Sequence, residues 1–384
     1  MAAPELQALA CQYRTGKTLG RGSFSVVKEA IHLDSGLLYA CKIINKRFMV
    51  GREGMVRNEV EILRKLSYGH PNVVTLHDYF ETKNNIYLCF NLCTGGELLE
   101  RIHRRSNFSE PDAATLVKTI FGAIKYIHDN SVVHRDLKPD NLLFDTPAED
   151  AVIQVADFGL GKIMDEQQMY LLTEICGTPG YIAPEIYRKR ISHTHPTLPT
   201  VGHGPAMDIW STGVIAYYIL VGYTPFDLAT TDEKRAQVVA GVYRFEPEKY
   251  WDTISETAKD FIKHCLVVDH GVRPTAETVL GHKWLTTEGG CFVSDPQGST
   301  DEPYDLLPNA KEGAKKKHTW HPAQNGKRAL ERYTYPLVEN CLGGDFETMR
   351  RTANEWVDES DKEDLNESSI VHHLMCGRDV SVSQ

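Results

Sequence analysis

Over the first ninety residues the apolar positions come in short, β-branched runs broken by turn residues. Leu19 to Ile31 and Leu37 to Ile44 are rich in Val, Ile, Tyr and Cys, with Asp34-Ser35-Gly36 between them. Such a pattern predicts strands joined by a tight turn. Val73-Val74-Thr75-Leu76 and Ile86-Tyr87-Leu88-Cys89-Phe90 are two further short strand signals. One segment has a different period. Val56, Val60, Leu63 and Leu66 recur at helical spacing and predict an amphipathic helix over Val56–Leu66. From Glu97 onward the helical period takes over, with Ala113 to His128, Met207 to Val221 and Ser255 to Leu266 as the long candidates.

A strand-rich segment at about 13–90 followed by a helical one at about 97–285 predicts an α+β chain of two lobes. The crevice between them would lie at Asn91 to Gly96, and clefts between lobes are favoured ligand sites. Residues 1–12 form a short extension. Near Leu285 the composition shifts, and residues 286–384 read as a tail with few apolar clusters, rich in Glu, Asp, Lys, Asn, Ser and Gly. Its stretch Asp358 to Ser369 is acidic, the signature of a solvated or disordered segment. No internal repeat is visible.

The bulk composition narrows the class. A chain of 384 residues with 41% hydrophobic and 24% charged residues is ordinary for a soluble globular protein with one large core or two smaller ones. A formal charge of −10 argues against non-specific binding to nucleic acid. Met1 to Arg14 lacks a basic-then-apolar leader pattern. No apolar run approaches the roughly 18 residues of a membrane span. Nine scattered cysteines without a Cys-x-x-Cys pair fit a reducing compartment, cytoplasmic and also nuclear.

The chemistry concentrates in His134-Arg135-Asp136-Leu137-Lys138-Pro139-Asp140-Asn141, followed by Asp157-Phe158-Gly159. Asp136 is placed to orient an acceptor hydroxyl and take its proton, and Lys138 to neutralise a γ-phosphate. Asn141 and Asp157 offer oxygen ligands to Mg²⁺. Those are the parts that phosphoryl transfer from ATP requires. Upstream, Gly20-Arg21-Gly22-Ser23-Phe24-Ser25-Val26-Val27 is a glycine-rich turn whose backbone can approach phosphates, with Phe24 as a cap; a plain hairpin turn has the same look. Lys42, on a strand, projects opposite its apolar neighbours and can reach the α- and β-phosphates. Glu59 on the following helix is its expected partner, with Glu61 on the solvent face.

Ala183-Pro184-Glu185 lies downstream, with Arg273 as the candidate buried partner of Glu185. Together these residues resemble a eukaryotic protein kinase over about Tyr13 to Leu285. Lys138 and Gly177-Thr178-Pro179-Gly180-Tyr181 resemble the serine/threonine type, in which the threonine matching Thr178 bonds the catalytic aspartate and lysine. The finer resemblance is to calmodulin-dependent protein kinases, as a fungal-like member. It rests on Gly95-Gly96-Glu97-Leu98, Cys176-Gly177-Thr178-Pro179-Gly180-Tyr181, Gly213-Val214-Ile215-Ala216-Tyr217 and Ala258-Lys259-Asp260-Phe261-Ile262. The resemblance implies the two-lobed kinase fold, ATP and Mg²⁺ as cofactors, and protein substrates. The implied ATP site comprises Leu19, Gly20, Gly22, Ser23, Phe24, Ser25, Val27, Ala40, Lys42, Glu59, Phe90, Asn91, Cys93 and Glu97. Phe90 would stand at the back of the adenine pocket. Glu97 would meet the ribose or a basic residue three before the phosphorylated hydroxyl.

Four departures stand out. Ser25 replaces the third glycine of the usual loop. Where many relatives carry an activating phosphothreonine, this chain has Glu174, which is expected to pair with Arg135; Thr173, one register away, is the alternative phosphosite. The twenty-two residues from 186 to 207 form an insertion, expected to face a partner or substrate, whose His193, His195 and His203 also invite a metal reading. The tail at about 306–335 matches the autoinhibitory and calmodulin-binding region of the family. It carries Lys311, Lys315, Lys316, Lys317, Lys327, Arg328, Leu330 and Arg332, with Trp320 and Tyr333 as anchors thirteen residues apart. Pro322 and Gly326 between those anchors would interrupt a single amphipathic helix, so a solvated basic linker is the alternative reading. No calcium-binding loop appears, so calcium sensing would need a partner.

The expected function is therefore ATP-dependent phosphorylation of Ser and Thr in proteins, with a basic substrate preference and calcium/calmodulin-linked regulation. The alternatives are a signalling scaffold without catalysis and a kinase with a calmodulin-independent tail.

Overall fold

The structure is a computed structural model that describes residues 12–21, 25–51, 53–164, 177–188, 204–226, 231–286, 304–316 and 372–375. Two compact units form. The first comprises the chain up to Gly96, the stretch Phe144–Gly159 and the C-terminal segment; the second comprises Glu97–Leu143 and Leu160–Pro322.

The first unit is built on an antiparallel sheet in the order β1-β2-β3-β5-β4-β6. Its strands are β1 (Tyr13–Arg21), β2 (Ser25–His32), β3 (Leu38–Asn45), β4 (Leu76–Glu81), β5 (Asn85–Asn91) and β6 (His372–Met375). The Leu19–Ile31 run divides about the glycine-rich turn, with Gly20 opposite Val27. β1 starts six residues earlier than the apolar pattern suggests. Two register shifts between Thr15 and Gly20 put polar residues into a bulged strand and hide the alternation.

The expected strand at Val73–Leu76 is corrected. Val73 makes an isolated parallel bridge to Val155, and the Val74 N–H donates to the Val155 carbonyl. The ladder to β5 begins only at Leu76, opposite Phe90. β4 continues through His77 and Asp78, and Asp78 is buried. The helix α1 (Glu53–Leu66) buries Val56, Val60, Leu63 and Leu66, the expected stripe, together with Glu59, while Glu61 is exposed.

The second unit is helical: α2 (Leu98–Arg104), α3 (Glu110–Asp129), α4 (Ala206–Val221), α5 (Glu256–Cys265) and α6 (Leu307–Lys316) are its main elements. α3 opens on a capping box between Ser109 and Asp112, which satisfies two backbone groups that a helix end leaves open. α4 is buried all round, as its nearly unbroken apolar sequence requires. Buried Glu110 accepts hydrogen bonds from the Ser255 N–H, the Ser255 hydroxyl and the Trp284 indole. It thereby ties α3 to the start of α5 and to the short helix Lys283–Thr286.

The composition break at Leu285 is not the end of the packed structure. Asp305 accepts from the backbone N–H groups of Phe108 and Leu307 at 3.0 and 3.1 Å, and the Leu306 N–H donates to the Phe108 carbonyl. Leu306, Leu307 and Ala310 are buried. The start of the tail is thus part of the second unit. β6 is a second element that no apolar cluster in the tail foretold. Among the described residues no helix is long and apolar enough to cross a membrane.

Candidate functional site

The first unit gathers Lys42, Glu59 and Asp157. In the pleat of β3 Lys42 points away from the side chosen by Cys41 and Ile43. In register it stands between Val27 and Leu88, and Ala40 on the same face pairs with Phe90. Glu59 lies on the buried side of α1, so the stripe that docks the helix also delivers the carboxylate. Lys42 Nζ donates to Glu59 Oε1 at 2.7 Å, and Asp157 Oδ1 lies 3.6 Å away. Lys42 and Glu59 are 2% and 1% exposed. Burial pulls the lysine pKa down, but the two carboxylates outweigh it and hold it above its usual value.

Asp157 has φ 63, a conformation that costs a non-glycine residue about 1 kcal/mol. Its Oδ1 accepts from the Gly159 N–H at 3.3 Å, which closes a turn. The strand before it is pinned by Asn72, whose side chain donates to the Ile153 carbonyl and whose carbonyl accepts from Val155. At the end of β5, Phe90 is buried, the Asn91 side chain meets His77, and Cys93 lies 3.5 Å from Gln154. Burial first, then Asp145, pushes the Cys93 thiol up to about 12, so it behaves as an apolar group there. Leu19 is half-buried at the end of β1, and Gly20 and Ser25 are buried. Gly22, Ser23 and Phe24 lie outside the described residues.

The second unit gathers Asp136, Lys138, Asn141 and Thr178. The pair Val132–Val133 and Lys162–Ile163 forms a short antiparallel ladder, and the loop His134–Asn141 leaves from it. Lys138 Nζ donates to Asp136 Oδ2 at 2.8 Å and to Thr178 Oγ1 at 3.0 Å, and the Thr178 hydroxyl donates to Asp136 Oδ1 at 2.7 Å. Asn141 Nδ2 donates to the Asp136 carbonyl at 2.8 Å. A turn at Pro139–Asn141 brings Asn141 back to that carbonyl. Gly177, at φ +112, lies close against the loop; a Cβ there would sit 3.1 Å from the Arg135 carbonyl oxygen. Further along, Arg273 grips Glu185 with two 2.9 Å hydrogen bonds, both residues buried. Glu97 is the N-cap residue of α2.

A family model described as the protein kinase domain matches residues 13–285. The calcium/calmodulin-dependent protein kinase cmkB of Emericella nidulans is 49% identical over 322 residues, 84% of this chain and 76% of that protein. The calcium/calmodulin-dependent protein kinase type I of Schizosaccharomyces pombe is 42% identical, over 87% of this chain and 92% of that one. The type 1B enzyme of Homo sapiens is also 42% identical, over 76% and 79%. The chain belongs to this family of protein kinases.

It is a serine/threonine protein kinase of the calmodulin-dependent type, with the two-lobed α+β fold of that family. A kinase domain uses ATP and a divalent metal, and acts on protein substrates. Within this kinase the residues chosen from sequence fall into two sets, one in each unit. Thr173, Glu174 and the histidines of the 186–207 insertion lie outside the described residues, as do Lys317, Trp320, Lys327, Arg328, Leu330 and Tyr333. For Lys315 and Lys316 the structure describes only the helical backbone at the end of α6.

Sequence reading missed Asp208. This buried residue, at the start of α4, accepts from the backbone N–H groups of His134 and Arg135, each at 2.9 Å, and from His128 Nε2 at 2.8 Å. Burial raises its pKa, but the hydrogen bond and charge of His128 and the groups at His134 win, and its pKa lies below the usual value. The one available signal was a lone carboxylate, Asp208, opening an otherwise apolar helix.

Proposed function

We propose that the kinase reaction runs on the residues of these two sets. The hydroxyl of a serine or threonine in a protein gives its proton to Asp136 as its oxygen bonds to the γ-phosphorus of ATP, and the bond to ADP breaks. Lys138 neutralises the transferring phosphoryl group, and Thr178 holds Asp136 and Lys138 in register. Lys42, kept charged by Glu59, binds the α- and β-phosphates. Leu19, Val27, Ala40, Phe90, Asn91 and Cys93 form the adenine site, and the loop Gly20–Ser25 covers the phosphates.

Asn141 and Asp157 would hold the divalent metal, Mg²⁺ in this reading, whose charge would neutralise and orient the phosphates. The donor chemistry fits. The Asn141 nitrogen is committed to the Asp136 carbonyl, which leaves its oxygen for a ligand, and Asp157 is a carboxylate. Hard cations take oxygen donors.

The observation that carries this reading is the closed triangle of hydrogen bonds among Asp136, Lys138 and Thr178. It orients one carboxylate, one ammonium and one hydroxyl toward one another. The kinase domain is residues 13–285, with a regulatory tail at 286–384. Glu97 selects a basic residue in the substrate. Glu174 pairs with Arg135 and takes part of the role of an activating phosphate.

Three relatives are named for calcium/calmodulin. On that ground the tail inhibits the resting enzyme and Ca²⁺-calmodulin relieves it, with Trp320 and Tyr333 as anchors in the basic segment that follows α6. The test is peptide phosphorylation with and without Ca²⁺-calmodulin, comparing the full chain with one ending after Lys316, which keeps the docked helix. Full-length activity should rise with calmodulin, and the shortened chain should be active without it. Asp136→Asn should lose about 100-fold or more in kcat. Retained activity in Asp136→Asn would overturn the assignment of the base.

A further inference from the structure

The sheet of the first unit has two faces. Lys42 marks the one against which α1 packs, since Glu59 reaches it there. On the opposite face Val26, Ala30, Cys41, Ile43, Tyr87 and Cys89 are each 0% exposed. Tyr13 stacks on Phe80 at the same face and is itself 7% exposed. The cover extends to charged positions, because Lys28 and Asp78, in register with Cys41 and Cys89, are buried too. A sheet face left to water does not show zero exposure across three adjacent strands; chain must lie over it. Among the described helices, α1 is the one that packs substantially on the sheet, and it is on the other side.

β6 indicates which segment that is. His372 to Met375 add antiparallel to the outer edge of β4, with His372 opposite Glu81 and Met375 opposite Asp78. An edge strand offers unpaired N–H and C=O groups that any extended segment can take. Here the segment comes from the same chain, and it arrives beside the covered face.

We propose that the C-terminal end of the chain, anchored by β6 on the edge of β4, is what covers the outer face of the sheet. The tail then has a second task, separate from its segment after α6: it clamps the unit that carries Lys42. Cys41 and Ile43 flank Lys42 on β3 and would transmit the clamp to it; this kinetic consequence rests on the role proposed for Lys42, whereas the docking itself does not.

The test uses Leu374→Pro in the full chain, which removes a backbone donor from β6, with Leu374→Ala as control. A chain ending at residue 345 is the second variant. Alkylation of Cys41 and Cys89 is followed by mass spectrometry, with Cys265, buried in the second unit, as internal reference. Thiol modification requires access. In Leu374→Pro and in the shortened chain Cys41 and Cys89 should be labelled at least about ten-fold faster, as expected when local protection is lost. Cys265 should stay protected, and a peptide of residues 346–384 should restore protection to the shortened chain. The KM for ATP should rise in Leu374→Pro with kcat little changed. Unchanged labelling in both variants overturns the proposal, and so does labelling that rises equally at Cys265. Protection in the full chain that depends on protein concentration overturns it in favour of a second copy. Faster labelling with an unchanged KM keeps the docking and removes the clamp on Lys42.

Discussion

Asp208 holds Arg135 by its backbone. One carboxylate oxygen accepts the Arg135 N–H and the other accepts that of His134, each at 2.9 Å. Arg135 sits at φ 69, which costs an ordinary residue about 1–2 kcal/mol. Two charge-assisted hydrogen bonds, each worth about 1.5–3 kcal/mol, offset that strain. The loop that carries Asp136 and Lys138 is therefore set by a residue that touches neither.

Asp208→Ala would leave two buried N–H groups without their acceptor. The expected loss is about 3 kcal/mol of stability, read from urea denaturation. The pH dependence has a definite sign. The native pKa of Asp208 lies below that of the unfolded chain, so its contribution is complete above about pH 4 and fades as the pH falls through the depressed native value. The stability gap between wild type and Asp208→Asn should hold constant at neutral pH and narrow only in acid.

Thr178→Val removes the hydroxyl that bridges Asp136 and Lys138 at nearly constant volume. We expect kcat to fall about ten-fold, the equivalent of one net hydrogen bond. Thr178→Ser should recover most of it. Steady-state kinetics on one basic peptide decides the point; a Val enzyme with wild-type kcat would remove Thr178 from the machinery.

Glu59→Ala removes the carboxylate that the buried Lys42 ammonium meets at 2.7 Å and leaves Asp157 at 3.6 Å. Breaking a buried pair by removing one partner costs about 3–5 kcal/mol, so the melting temperature should drop and the KM for ATP rise. Glu59→Gln should be milder. Because the native pKa of Lys42 is raised, its contribution is full below about pH 10 and is lost as the pH climbs through the native value. Alkaline denaturation should therefore come at lower pH in the Glu59 variants.

Asp305→Ala removes the acceptor shared by Phe108 and Leu307. Loss of such an acceptor costs about 1 kcal/mol, enough to loosen α6. Hydrogen exchange should rise over Leu307–Lys316 and leave α3 unchanged. Unaltered exchange in α6 would mean that buried Leu306, Leu307 and Ala310 hold it without Asp305.

Several elements are legible in the sequence. The stripe Val56, Val60, Leu63, Leu66 predicts α1 because a helix needs only a local period to declare its buried face. The same logic favours Glu59 over Glu61, and the structure puts Glu59 inside and Glu61 outside. β4 is not legible in this way. Asp78 is buried within it, and a charged residue whose environment comes from distant strands breaks the pattern that a local reading depends on.

The sequence by itself determined the kind of chemistry. Aspartate, lysine and asparagine within one short loop, followed by Asp157 in a glycine turn, specify the parts of phosphoryl transfer through residue type and spacing alone. Tertiary structure decided what holds them. Asp208 meets His134 across 74 positions of chain, and no local period encodes a side chain that accepts from a remote backbone. The docked start of the tail at Asp305 and the strand at His372–Met375 belong to the same class. Their bonds run through main-chain N–H and C=O groups that nearly every residue carries, so their partners become visible only once the chain has folded.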